Sequence, residues 1–148
     1  IDDREILRQS TTYTIDTIRE VREQLGGSEP LCFIMGIDAF ITFDQWEGWE
    51  EILTQTHLII VNRPDFEEWA DQLSPQLYSY WARYRCDSVQ EICEHSSGLI
   101  IVQDIEPLAI SSTNIREKCH IGKHEKIKDF VPPEVLYYMK QHQLYERV

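Results

Sequence analysis

The segment Ile110-Ser111-Ser112-Thr113-Asn114-Ile115-Arg116 sets three hydroxyl side chains at the start of a helical stretch, with an arginine inside its first turn. Hydroxyls at that position cap a helix, and the free N–H groups of the first turn face an anion. An arginine so early opposes the helix macrodipole, and an anionic ligand at the N-terminus would give Arg116 a purpose. Ordinary capping accounts for the hydroxyls equally well. Two shorter elements suit related chemistry. Gly36-Ile37-Asp38 closes an apolar run. A glycine there lets the backbone approach a flat ligand, and Asp38 can accept hydrogen bonds from a ribose or a base, or cap a short helix. Asn62-Arg63-Pro64 closes a second apolar run. Arg63 can hold a phosphate or carboxylate through forked N–H bonds, or make a surface ion pair. In Trp46-x-x-Trp49, core packing competes with a stacking role for one indole, Trp46, on an aromatic ring.

Metal and redox chemistry are weaker readings. The four cysteines, Cys32, Cys86, Cys93 and Cys119, include no C-x-x-C pair. Reduced thiols in a cytoplasmic protein are the expectation. Cys119, His120 and His124, with Cys93 and His95 farther off, are the nearest approach to zinc ligation. Gly122 falls between the two histidines and interrupts the helix their spacing requires.

These residues need elements to position them. Ile15, Ile18, Val21 and Leu25 recur at helical spacing, which predicts a helix over Tyr13–Leu25 stopped by Gly26-Gly27. Leu31–Met35 and His57–Val61 are short apolar runs of the kind that form strands buried on both faces of a parallel sheet. Between them a helix is predicted from Asp44, with Asp44 and Glu47 as a capping box, Trp46, Trp49, Ile52 and Leu53 along its apolar stripe, and Trp46 in its first turn near the Asp38 loop. Phe66–Cys93 is aromatic-rich and helical or irregular, Gly98–Val102 is a third strand, and Ser111–Arg116 opens a further helix. Pro132-Pro133-Glu134 starts a terminal helix with Val135, Leu136 and Met139 inward. Strands alternating with helices predict a parallel α/β sheet, and ligands of such sheets bind beyond the carboxyl ends of the strands. Three strands are fewer than the five or six of a doubly wound sheet, so the expectation is a Rossmann-like domain lacking its N-terminal strand or strands; a small three-stranded α/β domain is the alternative.

The whole chain has 148 residues and a net charge of −12. The length suits one domain with its own core. The charge disfavours polymers of phosphate, which call for a basic stripe, but not one small anionic ligand met by a few converging donors. No apolar run is long enough for a membrane helix. The charged start Ile1-Asp2-Asp3-Arg4-Glu5 has no apolar leader core, and the absence of an initial methionine points to a trimmed or processed chain.

Taken in order, the pieces resemble the nicotinate-nucleotide adenylyltransferases of the nucleotidyltransferase α/β superfamily. The resemblance rests on Tyr13-Thr14, Phe33-Ile34-Met35-Gly36-Ile37-Asp38-Ala39, Phe43-x-x-Trp46 with Ile52-Leu53, and His57-Leu58-Ile59-Ile60-Val61-x-Arg63-Pro64. It continues through Ile110-Ser111-Ser112-Thr113-x-Ile115-Arg116, Val131-Pro132-x-x-Val135-x-x-Tyr138 and Leu144-Tyr145, over nearly the whole chain.

The resemblance implies transfer of the AMP moiety of ATP to nicotinate mononucleotide, with Mg²⁺, in the cytoplasm, by a monomer or small homo-oligomer. It implies that Tyr13 and Thr14 contact the nicotinate carboxylate, Trp46 stacks on the pyridine, and Arg63 supports that region. It assigns Gly36 and Asp38 to the nucleotide-contacting turn, and Ser111, Ser112, Thr113 and Arg116 to the adenylate and phosphate oxygens. The family's His-x-Gly-His element, which binds the triphosphate, is expected upstream of Ile1, so residues 1–148 would be the C-terminal two-thirds of the family domain, without catalytic residues and inactive alone. The residue after Trp46 is Glu47, where members often carry a second aromatic; the pyridine clamp is then one-sided. Competing expectations are a superfamily enzyme with nicotinamide mononucleotide or pantetheine phosphate as acceptor, and a non-catalytic acidic interaction module displaying the aromatics between Trp69 and Tyr84.

Overall fold

The computed structural model describes residues 2–62, 68–105, 111–120 and 126–145. The chain divides into two compact units, Ile1–Glu106 and Pro107–Val148. In the first, α1 (Arg4–Leu7) and α2 (Thr14–Leu25) precede β1 (Cys32–Gly36), α3 (Ile37–Phe40), a 3₁₀ turn at Phe43–Gln45, and α4 (Trp49–Gln55). Next come β2 (His57–Asn62), a 3₁₀ turn at Trp69–Gln72, α5 (Pro75–Tyr84), α6 (Val89–Glu94) and β3 (Ile100–Asp104). The second unit holds α7 (Ser112–His120) and α8 (Pro133–Gln141).

The three strands form one parallel sheet in the order β1-β2-β3. Parallel neighbours need crossovers, and the helices between the strands supply them. Register sets Met35 beside Ile60 and Val102, and Ile34 beside Ile59 and Ile101. Met35, Leu58, Ile60 and Ile100 pack with Ile15, Ile18, Ile37, Phe40, Phe43, Ile52 and Leu53 into the main core. Ile101, Ile92 and Cys86 form a smaller cluster with Ile59 and Leu99. That second layer does not include Ile34, which is 64% exposed. The expectation that the Leu31–Met35 run is buried on both faces therefore fails for β1. It is an edge strand among the described residues, whereas the central β2 keeps Leu58 and Ile60 fully covered.

Two polar groups tie the helices to the sheet. The Arg22 guanidinium on α2 donates to the carbonyls of Gly26, Glu29, Gln55 and Ser96, at 2.5–3.1 Å. It thereby ties the end of α2 to the end of α4 and the loop before β3. His57, buried at the start of β2, accepts from the Leu99 N–H at Nδ1 (3.2 Å), so its Nε2 carries the proton and donates to the His95 carbonyl (2.9 Å). Burial pushes its pKa below the ordinary histidine value. It is a satisfied core histidine, held neutral.

Other expectations shift locally. α2 ends as predicted, at Gly26 with positive φ, and Ile15 and Ile18 are buried, but Leu25 is exposed. α8 begins with Pro133 and buries Met139, while Val135 is exposed rather than inward. In the second unit Cys119, Ile127, Val131 and Met139 make a separate core with Ile115, Leu136 and Leu144 around it. No helix among the described residues is long and apolar enough to cross a membrane.

Candidate functional site

Tyr13 and Thr14 open α2, and Tyr13 makes no side-chain cap. The first N–H groups of any helix lack intrahelical acceptors, so this end presents donors and a positive partial charge. Beside it Thr12, Tyr13, Thr14, Gln45, Trp46 and Glu47 line one open depression of about 290 Å³. The sequence-predicted trio Tyr13, Thr14 and Trp46 is thus brought together, with a donor-rich helix end against an aromatic wall.

The position of Trp46 differs from the expectation. No helix begins at Asp44: Phe43–Gln45 is a 3₁₀ turn, and α4 starts only at Trp49, after Gly48 in a left-handed conformation (φ 64°). Gly48 breaks what would have been one helix. Asp44, freed from capping, accepts a hydrogen bond from the Ser74 hydroxyl at 2.5 Å, and Ser74 itself caps α5 through the Leu77 N–H. Trp46 therefore sits on the turn before the helix. Its indole is partly buried against Phe33 (centroids 6.2 Å apart) and Phe43 (5.6 Å). A Cβ built on Gly48 would lie 3.2 Å from Ile15 side-chain carbons. This glycine lets the Trp46 turn close directly onto the first turn of α2.

Gly36 ends β1 and precedes α3, whose first turn carries the exposed Asp38. A Cβ on Gly36 would overlap Asp38 Oδ1. The carboxylate thus lies folded over the glycine at the carboxyl end of the strand, where an open parallel sheet receives ligands. Asp38 does not cap α3; Gly36 holds the N-cap position. Neither residue lines the Trp46 depression. Asn62, at the end of β2, donates to Asp104 at the end of β3 (2.8 Å). Arg63 and Pro64 lie outside the described residues, as do Ile110 and His124.

In the second unit Ser111 caps α7, accepting from the Asn114 N–H at its hydroxyl (3.1 Å) and from Ile115 at its carbonyl (3.0 Å). Ser112, Thr113 and Arg116 are exposed, and Arg116 donates to the Thr113 hydroxyl (3.3 Å). The capping role is therefore realised for Ser111, while Ser112 and Thr113 keep their side chains in solvent on the first turn. No group of three or more His, Cys, Asp or Glu side chains suited to a metal ion occurs among the described residues. Cys119 is buried in the core of its unit, and none of the four cysteines is in a disulfide.

Sequence reasoning missed Thr12 and Gln45 as lining residues and Gly48 as the hinge of the site. The Gly after Trp46-Glu47 was the available signal, since a glycine inside a helical pattern marks a break.

Residues 1–118 match the cytidylyltransferase-like family. The chain is 37% identical over 145 residues to a probable nicotinate-nucleotide adenylyltransferase from Marinomonas sp., covering 98% of the chain and 63% of that protein. It is 32% identical over 146 residues to one of the same name from Pectobacterium atrosepticum, covering 99% of the chain and 67% of that protein. The chain thus spans about two-thirds of the length of these relatives. The solved structure of the Plasmodium falciparum nicotinic acid mononucleotide adenylyltransferase complexed with NaAD shares the fold, with a TM-score of 0.59 at 19% identity, over 93% of this chain and 58% of that one. A family model matched over residues 1–118 and relatives matching the chain nearly end to end give one assignment: the chain belongs to the cytidylyltransferase-like family, beside the nicotinate-nucleotide adenylyltransferases.

Proposed function

We propose that the full-length protein transfers the AMP moiety of Mg²⁺-bound ATP to nicotinate mononucleotide, forming nicotinate adenine dinucleotide and pyrophosphate. Residues 1–148 belong in this reading to one nucleotidyltransferase-like domain working in the cytoplasm on small molecules rather than nucleic acid. The observation that carries it is the depression shared by Tyr13, Thr14 and Trp46. An anionic ring needs a flat apolar wall and donors aimed at its carboxylate, and a helix N-terminus supplies donors without burying a cation.

The remaining assignments follow the chemistry. A phosphate oxygen of the mononucleotide attacks the α-phosphorus of ATP; the bond to the β-phosphate breaks, and pyrophosphate leaves with its electron pair. No covalent protein intermediate is needed, so positioning and charge neutralisation supply the acceleration. Gly36 and Asp38 receive the nucleotide at the end of β1. Ser111, Ser112, Thr113 and Arg116 hold adenylate and phosphate oxygens, and Arg63 steadies the mononucleotide. Magnesium belongs in this reading to the Mg-ATP substrate, where it would neutralise charge on the triphosphate.

The test is pyrophosphate release by the full-length protein supplied with Mg-ATP and nicotinate mononucleotide. Release that depends on both substrates is expected. Its absence at micromolar enzyme, with correctly folded protein, would overturn the reading.

A further inference from the structure

The lining of the Trp46 depression contains one member that works against the rest. Thr12, Tyr13, Thr14 and Gln45 offer neutral hydrogen-bonding groups, and Trp46 offers an aromatic face. Glu47 is the one charged side chain among the described lining residues, and it is acidic. It is exposed on the turn between Trp46 and Gly48, and its carboxylate has no hydrogen-bond or ion-pair partner among the described residues. Nothing described there neutralises it.

Two fields of opposite sign therefore act on the acceptor ring. The start of α2 attracts an anionic substituent. The Glu47 carboxylate repels it but does not repel a neutral carboxamide, whose N–H group can donate to it. We propose that Glu47 is a specificity-determining residue that lowers the preference for the acid mononucleotide and admits nicotinamide mononucleotide as a second acceptor. This inference rests on the adenylyltransferase reading above. Two unit charges about 7 Å apart, in an effective dielectric of about 40 to 80, change a relative affinity by about three- to sevenfold. Mobile ions screen charges this exposed, so the effect belongs to low ionic strength.

The experiment uses the full-length protein with Mg-ATP and, in separate reactions, each of the two mononucleotides. It compares kcat/KM for acid and amide in the wild type, Glu47→Gln and Glu47→Asp, at low and at molar salt. The expected wild type turns over both acceptors. Glu47→Gln raises the acid-to-amide ratio by about three- to sevenfold at low salt, chiefly through the KM of the acid. Glu47→Asp keeps the wild-type ratio, and molar salt moves the wild type toward the Gln variant. Robust turnover of the acid with a ratio that Glu47→Gln leaves unchanged overturns the role of Glu47 alone. No pyrophosphate with either acceptor overturns the parent reading, and this inference with it.

Discussion

Replacing Trp46 with alanine separates two roles of one indole. Part of the ring packs against Phe33 and Phe43, at centroid distances of 6.2 and 5.6 Å, and part lines the depression beside Tyr13 and Thr14. A fully buried tryptophan truncated to alanine costs about 3–5 kcal/mol, and a partly buried one about half of that, or roughly 2 kcal/mol. That loss lowers Tm by roughly 5 °C in a protein of this size class. Stacking of a heteroaromatic ring on an aromatic side chain contributes about 1–3 kcal/mol, and its loss raises the KM of nicotinate mononucleotide by about 5- to 150-fold. The KM of ATP, whose proposed contacts lie at Gly36, Asp38 and the start of α7, should move less than about twofold, since the mutated ring supplies none of its binding. Steady-state pyrophosphate release, with each substrate varied at saturating levels of the other, reads both constants. Trp46→Phe retains a stacking face and should recover most of the mononucleotide affinity. Equal rises in the two KM values, or a Phe variant as impaired as the Ala variant, would refute the stacking role and leave Trp46 as packing alone.

Three further outcomes follow from the geometry. Gly48→Val forces a β-branched residue into a left-handed conformation and drives its Cβ to 3.2 Å from Ile15, so it should cost about 2 kcal/mol or more in a urea titration and raise the mononucleotide KM by displacing the Trp46 turn; wild-type stability would show that the turn relaxes freely. Arg22→Lys cannot reproduce a fork that reaches four carbonyls, so it should lower stability by about 2–3 kcal/mol without a selective effect on either substrate; a neutral Lys variant would mean those carbonyls are satisfied by water. His57 has its pKa depressed by burial, so both folded and unfolded forms are neutral above about 6.5 and its contribution is fully present there. As pH falls below that value the unfolded chain binds the proton first, and stability drops with a slope of at most about 1.4 kcal/mol per pH unit from this group. An NMR titration in which the His57 ring protonates at the ordinary value would contradict the assignment.

The elements were readable where one physical signal dominated. Ile15 and Ile18 recur at helical spacing and are buried, and the runs at Leu31–Met35, His57–Val61 and Gly98–Val102 each contain most of a strand. The parallel arrangement followed from helices between strands, because parallel neighbours cannot be joined by a hairpin. The misreadings arose where the outcome depended on a partner distant in the sequence. Ile34 looks like Ile60 in its local context. One sits on a face that the layer over Ile59 and Ile101 does not extend to, and the other under the main core, and no local pattern carries that difference. Asp44 with Glu47 has the spacing of a capping box, yet Ser74, thirty residues away, takes the Asp44 carboxylate.

The site shows the same division, and it explains why a turn rather than a helix carries Trp46. Had the predicted helix begun at Asp44, Trp46 would ride in its first turn, oriented by the same face as Ile52 and Leu53, which the core buries. An indole on that stripe belongs to the core. The left-handed Gly48 uncouples the two: α4 keeps Ile52 and Leu53 buried, while the preceding turn swings Trp46 toward the start of α2, half in the core and half out. A ring that must both stay rigid and offer a face to a ligand needs that divided environment, since full burial leaves no face and full exposure fixes no orientation. The sequence states the ring and the glycine; only the close approach of Gly48 to Ile15, from a helix more than thirty residues earlier, turns them into the proposed binding surface.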